Sequence, residues 1–582
     1  MHATPAPSPS AADKIDIPLH AAMARASMSL SHVSMLLAWL DWALHLGISP
    51  GKQFELLRLA MTQAEQLARY AQNCAISGSP AVECCVLPPA HDRRFSDDAW
   101  RRWPFNVLHQ SFLLAERWWD AATHGVWGVS AHHQDVVAFA ARQWLDMASP
   151  GNQLATNPVV LQETFEQRGA NLLRGALNAV DDVERTLSNT PPAGTERFLP
   201  GRDVAVTPGK VVLRNQLIEL IQYAPTTPKV HAEPILIVPA WIMKYYILDL
   251  SANDSLIRYL IEQGHTVFCI SWKNPGEAER NLGMDDYVGL GVRAALDAVC
   301  AIVPDQRVHA VGYCLGGTLL SIVAAAMARD GDRRLASMTL FAAQTDFSDP
   351  GELGLFIDDA QISLLDAQMA QTGYLTAQQM AGAFQMLRSY DLLWSRVVGE
   401  YLMGERPPLN DLMAWNADAT RMPARMHGEY LRRLFLNDDL SEGRYPVDGK
   451  PVRLSDIALP MFVVGTETDH VAPWRSVYKL HHLCPAELTF VLTSGGHNAG
   501  IVSPPGHPHR HFHMLTRESG GTSLSPDDWL AGAPDHDGSW WPAWHAWLVG
   551  HGTSATLVQP PKLGTQAYPA QAEAPGAYVL EA

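Results

Sequence analysis

Cysteine is scarce: seven in 582 residues, at 74, 84, 85, 269, 300, 314 and 484, with no CxxC pair among them. That excludes a cysteine-rich zinc module and a disulfide-held secreted scaffold, and points to reduced thiols in a cytoplasmic setting. Positive charge is short as well, with 43 Lys and Arg against 60 Asp and Glu and a net charge of −17. Broad nucleic-acid binding needs a basic surface and is not expected, although a local basic site for a phosphorylated ligand stays open. No stretch reaches the roughly 18 uncharged apolar residues of a membrane span. The apolar stretch Met35–Leu46 is broken by Asp41 and His45, and residues 1–10 lack the Lys or Arg of a secretory signal. No internal repeat is present.

What the chain does have is core-forming material, with 47% hydrophobic and 18% charged residues over a length that predicts two or three domains. Residues 1–13, rich in Pro, Ala and Ser, read as a disordered tail. From Pro18 to Ile76 the pattern is helical: Leu36, Leu37, Leu40, Ala43, Leu44 and Leu46 make one apolar stripe, stopped by Gly47 and Pro50, and Phe54, Leu57, Met61, Ala64 and Leu67 make another. These are either packed helices or an amphipathic docking element. Helical patterns continue over 95–190 around Trp100, Trp103, Phe112, Trp118 and Leu172. Short apolar runs then appear at 210–213, 235–238, 266–270, 308–311, 337–341, 461–464 and 488–492, most of them separated by helical stretches. That alternation predicts a parallel or mostly parallel sheet with crossover helices. The interval from about 347 to 457 has helical patterns but no strong strand, which fits an inserted lid. The expected domains are therefore 1–90, a tail and helical extension; 91–200, helical; 201–558, α/β with its lid; and 559–582, a Pro/Ala-rich tail.

Cys314 occupies the centre of Gly312-Tyr313-Cys314-Leu315-Gly316-Gly317, directly after the run Val308–Val311. This is a nucleophile-elbow pattern with sulfur in place of the serine hydroxyl. A cysteine there forms a thioester, which stays activated for a further transfer, where serine would form a lower-energy oxyester. Two later strand-like runs are each followed by a partner of the right type: Met461–Thr466 by Asp469, and Leu488–Leu492 by His497. His497 can take the thiol proton, and Asp469 can fix the imidazole tautomer. Asp346, after the run 337–341, is the rival acid, and His470 beside Asp469 suits a structural or supporting position. The backbone N–H of Leu315 is one expected oxyanion donor; the second is expected near Trp241, after the run 235–238. The run His507-Pro508-His509-Arg510-His511-Phe512-His513 has metal-like alternation, but Arg510 interrupts it and no carboxylate or cysteine accompanies it, so a solvated loop and no resident metal are expected. Trp540, Trp541, Trp544 and Trp547 read as core or packing aromatics.

With these residues in place the chain resembles the polyhydroxyalkanoate synthases (poly-3-hydroxybutyrate polymerases), most closely the single-polypeptide type. The matching pieces span roughly 90–545: Arg94-Phe95-Ser96-Asp97, Asn157-Pro158, Gly169–Leu172, Thr207–Val212, Leu217–Tyr223, Lys244–Leu250, Gln263–Phe268, Ser271–Pro275, the Cys314 box, Asp469–Trp474 and Gly538–Pro542. Residues 1–90 carry no motif that matches. The resemblance implies a helical N-terminal domain before an α/β-hydrolase domain with an inserted helical lid. It places the nucleophile at Cys314, the acid at Asp469 and the base at His497. It also implies (R)-3-hydroxyacyl-CoA as substrate, no further cofactor, a homodimer, and association with the polyester granule surface and its proteins in the cytoplasm. One departure stands beside the base: the family's Ser-Gly-His-Ile-Ala is here Gly495-Gly496-His497-Asn498-Ala499, which bears on pocket shape. A cysteine-type thioesterase or lactone hydrolase would carry the same three residues.

Overall fold

The computed structural model describes residues 10, 12–27, 29–77, 84–88, 92–188, 190–380, 382, 393–553 and 556–581. Most of the expected N-terminal tail and part of the expected lid thus lie outside the described residues. The chain forms two compact units, one of residues 1–29, 194–380 and 409–582, the other of residues 30–193 and 381–408.

The second unit is helical. Its helices are α2 (His32–Gly47), α3 (Pro50–Ser77), α4 (Phe105–Thr123), α5 (Ala131–Ala148), α6 (Pro158–Glu166) and α7 (Ala170–Leu187). The break between α2 and α3 falls at the predicted Gly47 and Pro50. Tryptophans knit the bundle: Trp42 Nε1 donates to Ala122 O and Trp118 Nε1 to Leu56 O, at 2.9 and 3.1 Å. The Arg94 motif is structural. Its guanidinium, almost fully buried, meets Glu116 at 2.8 Å, Asp92 at 2.7 Å and Asp146 at 3.5 Å. Asp97 caps the following turn, and Asn157 caps α6 with Pro158 at its first position. The segment Val397–Leu402 packs on α7, where a Cβ on Gly175 would overlap the Tyr401 carbonyl. Asn171 and Asn178 amides donate to Leu402 O and Glu400 O there. These contacts are why residues 393–408 group with the helices rather than with the rest of the inserted interval.

The first unit holds a ten-stranded sheet in the order β1-β2-β4-β3-β5-β6-β11-β12-β13-β14. The strands are β1 (Gly209–Arg214), β2 (Ile218–Tyr223), β3 (Ile235–Val238), β4 (Val267–Trp272), β5 (Val308–Tyr313), β6 (Leu335–Phe341), β11 (Met461–Thr466), β12 (Leu488–Thr493), β13 (His511–Arg517) and β14 (Asp535–Asp537). Two small ribbons complete the strand set: β7 (Tyr374–Leu375) with β8 (Met422–Pro423), and β9 (Pro446–Val447) with β10 (Lys450–Pro451). The central six strands, β4 to β12, are parallel and buried on both faces, which is why they read as unbroken apolar runs. Crossover helices α8 (Leu256–Glu262), α10 (Ala294–Ile302) and α11 (Leu315–Asp330) lie between them, with a short α9 (Met284–Asp286). The edges are antiparallel: β1 and β2 at one side, β13 and β14 at the other. Between β6 and β11 the insertion includes α12 (Asp359–Thr372), on which α1 (Asp13–Ala26) packs.

Two segments differ from their compositional reading. The Pro/Ala-rich stretch after residue 558 lies along the sheet edge. Val211 N donates to Ala572 O, Gln571 N to Val211 O and Ala574 N to Gly209 O, at 2.8–2.9 Å. Buried Glu219 accepts the Ala577 and Tyr578 amides. Proline suits an edge whose outer N–H groups need no partner, and the segment covers the exposed rim of β1. The histidine run is a loop only to Arg510. From His511 onward it is β13, paired in register with β12, and His511 Nε2 meets the carboxylate of Glu467 at 3.0 Å.

Candidate active site

The turn after β5 places Cys314 at φ +52° and ψ −122°, a backbone conformation that L-residues avoid. Two glycines make the turn possible. A Cβ at Gly312 would overlap Gly317, and one at Gly316 would overlap the carbonyls of Val238 and Pro239. Cys314 is half-buried and opens α11, so the Leu315 amide has no carbonyl one turn earlier in the helix. The contact of Gly316 with Val238 and Pro239 brings the start of the loop after β3 against the elbow, two residues before Trp241. Thr420 Oγ1 donates to the Trp241 carbonyl at 2.6 Å and holds that loop.

Parallel pairing of β6, β11 and β12 carries the other two residues to the same sheet edge. Asp469 follows β11 and is fully enclosed; its Oδ2 meets His497 Nδ1 at 2.7 Å and accepts Thr466 Oγ1 at 3.0 Å. Its Oδ1 accepts the Val471 and Ala472 amides at 2.9 and 2.8 Å. Burial pushes this carboxyl up, but the imidazole and the two amides more than offset that and hold it below the usual carboxylate value. Burial pulls His497 down, yet the charges of Asp469 and Cys314 and its hydrogen bond to Asp469 keep it well above the usual imidazole value. His497 is thus hydrogen-bonded to Asp469 on one side and lies near enough to Cys314 on the other to feel its charge, a set of groups able to take a proton from a thiol and stabilise the resulting imidazolium.

Asp346 does not enter that line. Its carboxylate accepts the Ser348 amide at 2.9 Å and meets Lys479 Nζ at 3.2 Å. His470, half-buried, lies one residue beyond the acid with its carbonyl close to Gly351. The four tryptophans behave as packing residues. Trp540, Trp541 and Trp544 donate to Gly500 O, Ile501 O and Thr339 Oγ1 at 3.0, 3.0 and 3.1 Å, and Trp547 packs on Phe462. The first two fasten the segment just after His497.

Three contributors had no clear signal in the sequence. Arg510, which looked like an intruder in the histidine run, donates to Ser494 O and Ala499 O at 3.2 and 2.8 Å and braces the loop that carries His497. Tyr313 donates its buried hydroxyl to Asn498 Oδ1 at 2.5 Å, and its ring lies 5.8 Å from that of His497. The polar residue at 498 therefore satisfies a hydroxyl beside the nucleophile. Tyr430, from the insertion, is buried close enough to Cys314 for the thiolate charge to add to the upward push of burial on its phenol.

Comparison with known proteins gives the family. Residues 91–260 match the family model "Poly-beta-hydroxybutyrate polymerase (PhaC) N-terminus", 233–504 match "alpha/beta hydrolase fold", and 10–52 match "Poly-beta-hydroxybutyrate polymerase N terminal". The poly(3-hydroxyalkanoate) polymerase of Methylorubrum extorquens is 42% identical over 516 residues, 88% of this chain and 84% of the relative. The chain belongs to the poly(3-hydroxyalkanoate) polymerase family. Two further members are the polymerase subunit PhaC of Cupriavidus necator, 39% identical over 84% of this chain and 83% of its own, and polymerase 1 of Ectopseudomonas oleovorans, 33% identical over 90% and 93%. The match over 10–52 corrects the expectation that the first 90 residues carry nothing of this polymerase family. It covers α1 and α2.

Proposed function

We propose that this chain polymerises (R)-3-hydroxyacyl-CoA thioesters into a polyester and releases CoA, with Cys314 as the acyl carrier. Membership of the polymerase family supports the reaction, and the residue assignment is carried by Cys314 in its strained elbow together with the Asp469–His497 hydrogen bond.

The chemistry follows from the groups present. His497 accepts the Cys314 proton, and the thiolate attacks the substrate thioester carbonyl. The oxyanion points to the Leu315 amide and to the backbone near Trp241. CoA leaves as a thiol, taking the proton from His497, and the acyl group sits on sulfur at almost unchanged free energy. A 3-hydroxyl group then attacks this thioester. His497, with Asp469 behind it, removes the hydroxyl proton and returns it to Cys314 as the ester bond forms. No cofactor beyond the CoA of the substrate takes part. His470 takes no proton in this scheme and supports the loop of Asp469.

Water competes with the hydroxyl in the second step, and polymer forms only if water is kept out. Tyr430 of the insertion, buried and near enough to Cys314 for its phenol to feel the sulfur's charge, supports that role for the insertion. The protein works as a homodimer in the cytoplasm at the granule surface, alongside granule-associated proteins. Exposed apolar side chains on two helices support a hydrophobic partner: Leu36, Leu40 and Leu44 on α2, and Leu173, Leu177 and Leu187 on α7. No helix among the described residues is long and apolar enough to cross a membrane.

The test is incubation with 3-hydroxybutyryl-CoA while released thiol and turbidity are followed together. Thiol release with turbidity supports the proposal. Thiol release with free 3-hydroxybutyrate and no polymer would make the protein a thioesterase.

A further inference from the structure

Three histidines converge at the end of the sheet opposite Cys314. His231 precedes β3, His265 immediately precedes β4, and His545 lies on the helix Trp541–Gly550. One nitrogen from each lies within 4.8 Å of the other two, the one such convergence of three metal-ligating side chains among the described residues. His265 Nε2 is 3.0 Å from His545 Nδ1, and the His231 and His265 rings stack with centroids 4.6 Å apart. His265 is buried, and its Nδ1 has no hydrogen-bond partner.

We propose that His231, His265 and His545 form a binding site for a divalent late transition-metal ion, Zn²⁺, with water as the fourth ligand.

The distances suit such an ion. Zinc–nitrogen bonds of about 2.0–2.1 Å set neighbouring ligand nitrogens roughly 3.3 Å apart in a tetrahedron. The His265–His545 pair already stands near that separation, and His231 needs an approach of at most about 1.5 Å to match it. Burial lowers the proton affinity of all three imidazoles, and for His265 and His545 the neighbouring histidines lower it further. His265 Nε2 and His545 Nδ1 share one proton in their hydrogen bond, and metal binding moves that proton to the far nitrogen of its ring so that both offer lone pairs. The nearby carboxylate of Glu233 is engaged by the backbone and hydroxyl of Thr553, which leaves the fourth position to water. The scaffold is fixed: His231 N donates to Gly264 O at 2.8 Å, joining the two loops. In a parallel sheet, residues before β3 and β4 and the turn after β5 sit at opposite strand ends, about 15–20 Å apart for five to six residues. The ion would be a staple, not a reactant. It would tie two sheet loops to the helix whose flanking Trp540 and Trp541 hold the segment after His497.

The test uses full-length protein stripped with a chelator and titrated with Zn²⁺, with bound metal measured by elemental analysis. One Zn²⁺ per chain is expected, along with a higher melting temperature. His231→Gln and His545→Gln, made separately, should each weaken binding at least about tenfold and abolish the thermal shift. Cys314→Ala, and a variant with His507 and His509 replaced by Gln, should bind as the parent does. Co²⁺ loaded into the unmutated protein reports the donors without any substitution: visible bands of a four-coordinate nitrogen and oxygen site, with no sulfur charge-transfer band. Absence of stoichiometric metal would overturn the proposal. So would binding that survives both histidine substitutions, that is lost with Cys314, or that is lost with the His507 and His509 pair.

Discussion

Replacing Asp469 by Asn separates the charge of the acid from its shape. The side-chain oxygen can still accept the Val471 and Ala472 amides, so the turn after β11 keeps its hydrogen bonds. The new NH₂ group faces His497 Nδ1, where the carboxylate accepted at 2.7 Å. An amide donor there selects the tautomer with its proton on Nε2, which points a proton at Cys314 instead of a lone pair. The imidazolium formed on taking the thiol proton also loses its buried counter-charge. Removing one partner of a buried pair costs about 3–5 kcal/mol. At about 1.4 kcal/mol per decade, that is a loss of roughly two to four orders of magnitude in thiol release. The assay is the initial rate of thiol release from 3-hydroxybutyryl-CoA, with circular dichroism to confirm the fold. Asp346→Asn serves as the control and should stay near the parent rate, because Asp346 is occupied by Ser348 and Lys479. An active Asp469→Asn with an inactive Asp346→Asn would refute the reasoning.

Other predictions address the surroundings. Cys314→Gly and Cys314→Ala should both abolish thiol release, but Gly relieves the positive φ and should be more stable than Ala by about 1 kcal/mol in denaturant titration. Asn498→Ala should cost about 1–3 kcal/mol by leaving the buried Tyr313 hydroxyl without its partner, and adding Tyr313→Phe should recover most of that, measured as a double-mutant cycle. Arg94→Met should destabilise the chain by about 3–5 kcal/mol at pH 7, since three carboxylates lose their buried cation. Asp92, with burial raising it and Arg94 lowering it further, titrates below its unfolded value; its stabilisation is full above about pH 4 and is lost as pH falls through the lowered folded value. The gap between parent and Arg94→Met should therefore hold down to about pH 4 and narrow below it, as followed by thermal melts from about pH 7 to about pH 2.

The elbow and the order of the acid and base were legible because strand ends in a parallel sheet are local features. A six-residue apolar run followed by a reactive side chain places that side chain at the sheet edge, whatever the intervening sequence. The helix break at Gly47 and Pro50 was legible for the same local reason. Antiparallel edges were not. In β13 the residues His511, His513 and Arg517 mask the strand pattern, and its pairing with β12 depends on a partner some twenty residues away. The chain after residue 558 looks like a tail because its composition suits one, and only the unpaired rim of β1 gives it a place. Arg510 and the three convergent histidines share a further reason. Arg510 braces carbonyls 16 and 11 residues away, the histidines come from segments up to 314 residues apart, from 231 to 545, and no spacing rule connects either set.

The proposed mechanism carries the growing acyl chain on Cys314. The direct measurement is rapid acid quenching after mixing with 3-hydroxybutyryl-CoA, followed by proteolysis and mass analysis of the peptide that contains Cys314. A hydroxyacyl thioester on Cys314 is expected in the parent, accumulating in Asp469→Asn if the hydroxyl attack is slowed more than acylation, and none in Cys314→Ala. Polymer formed by Cys314→Ala, or an acyl group found on a different residue of the parent, would contradict it.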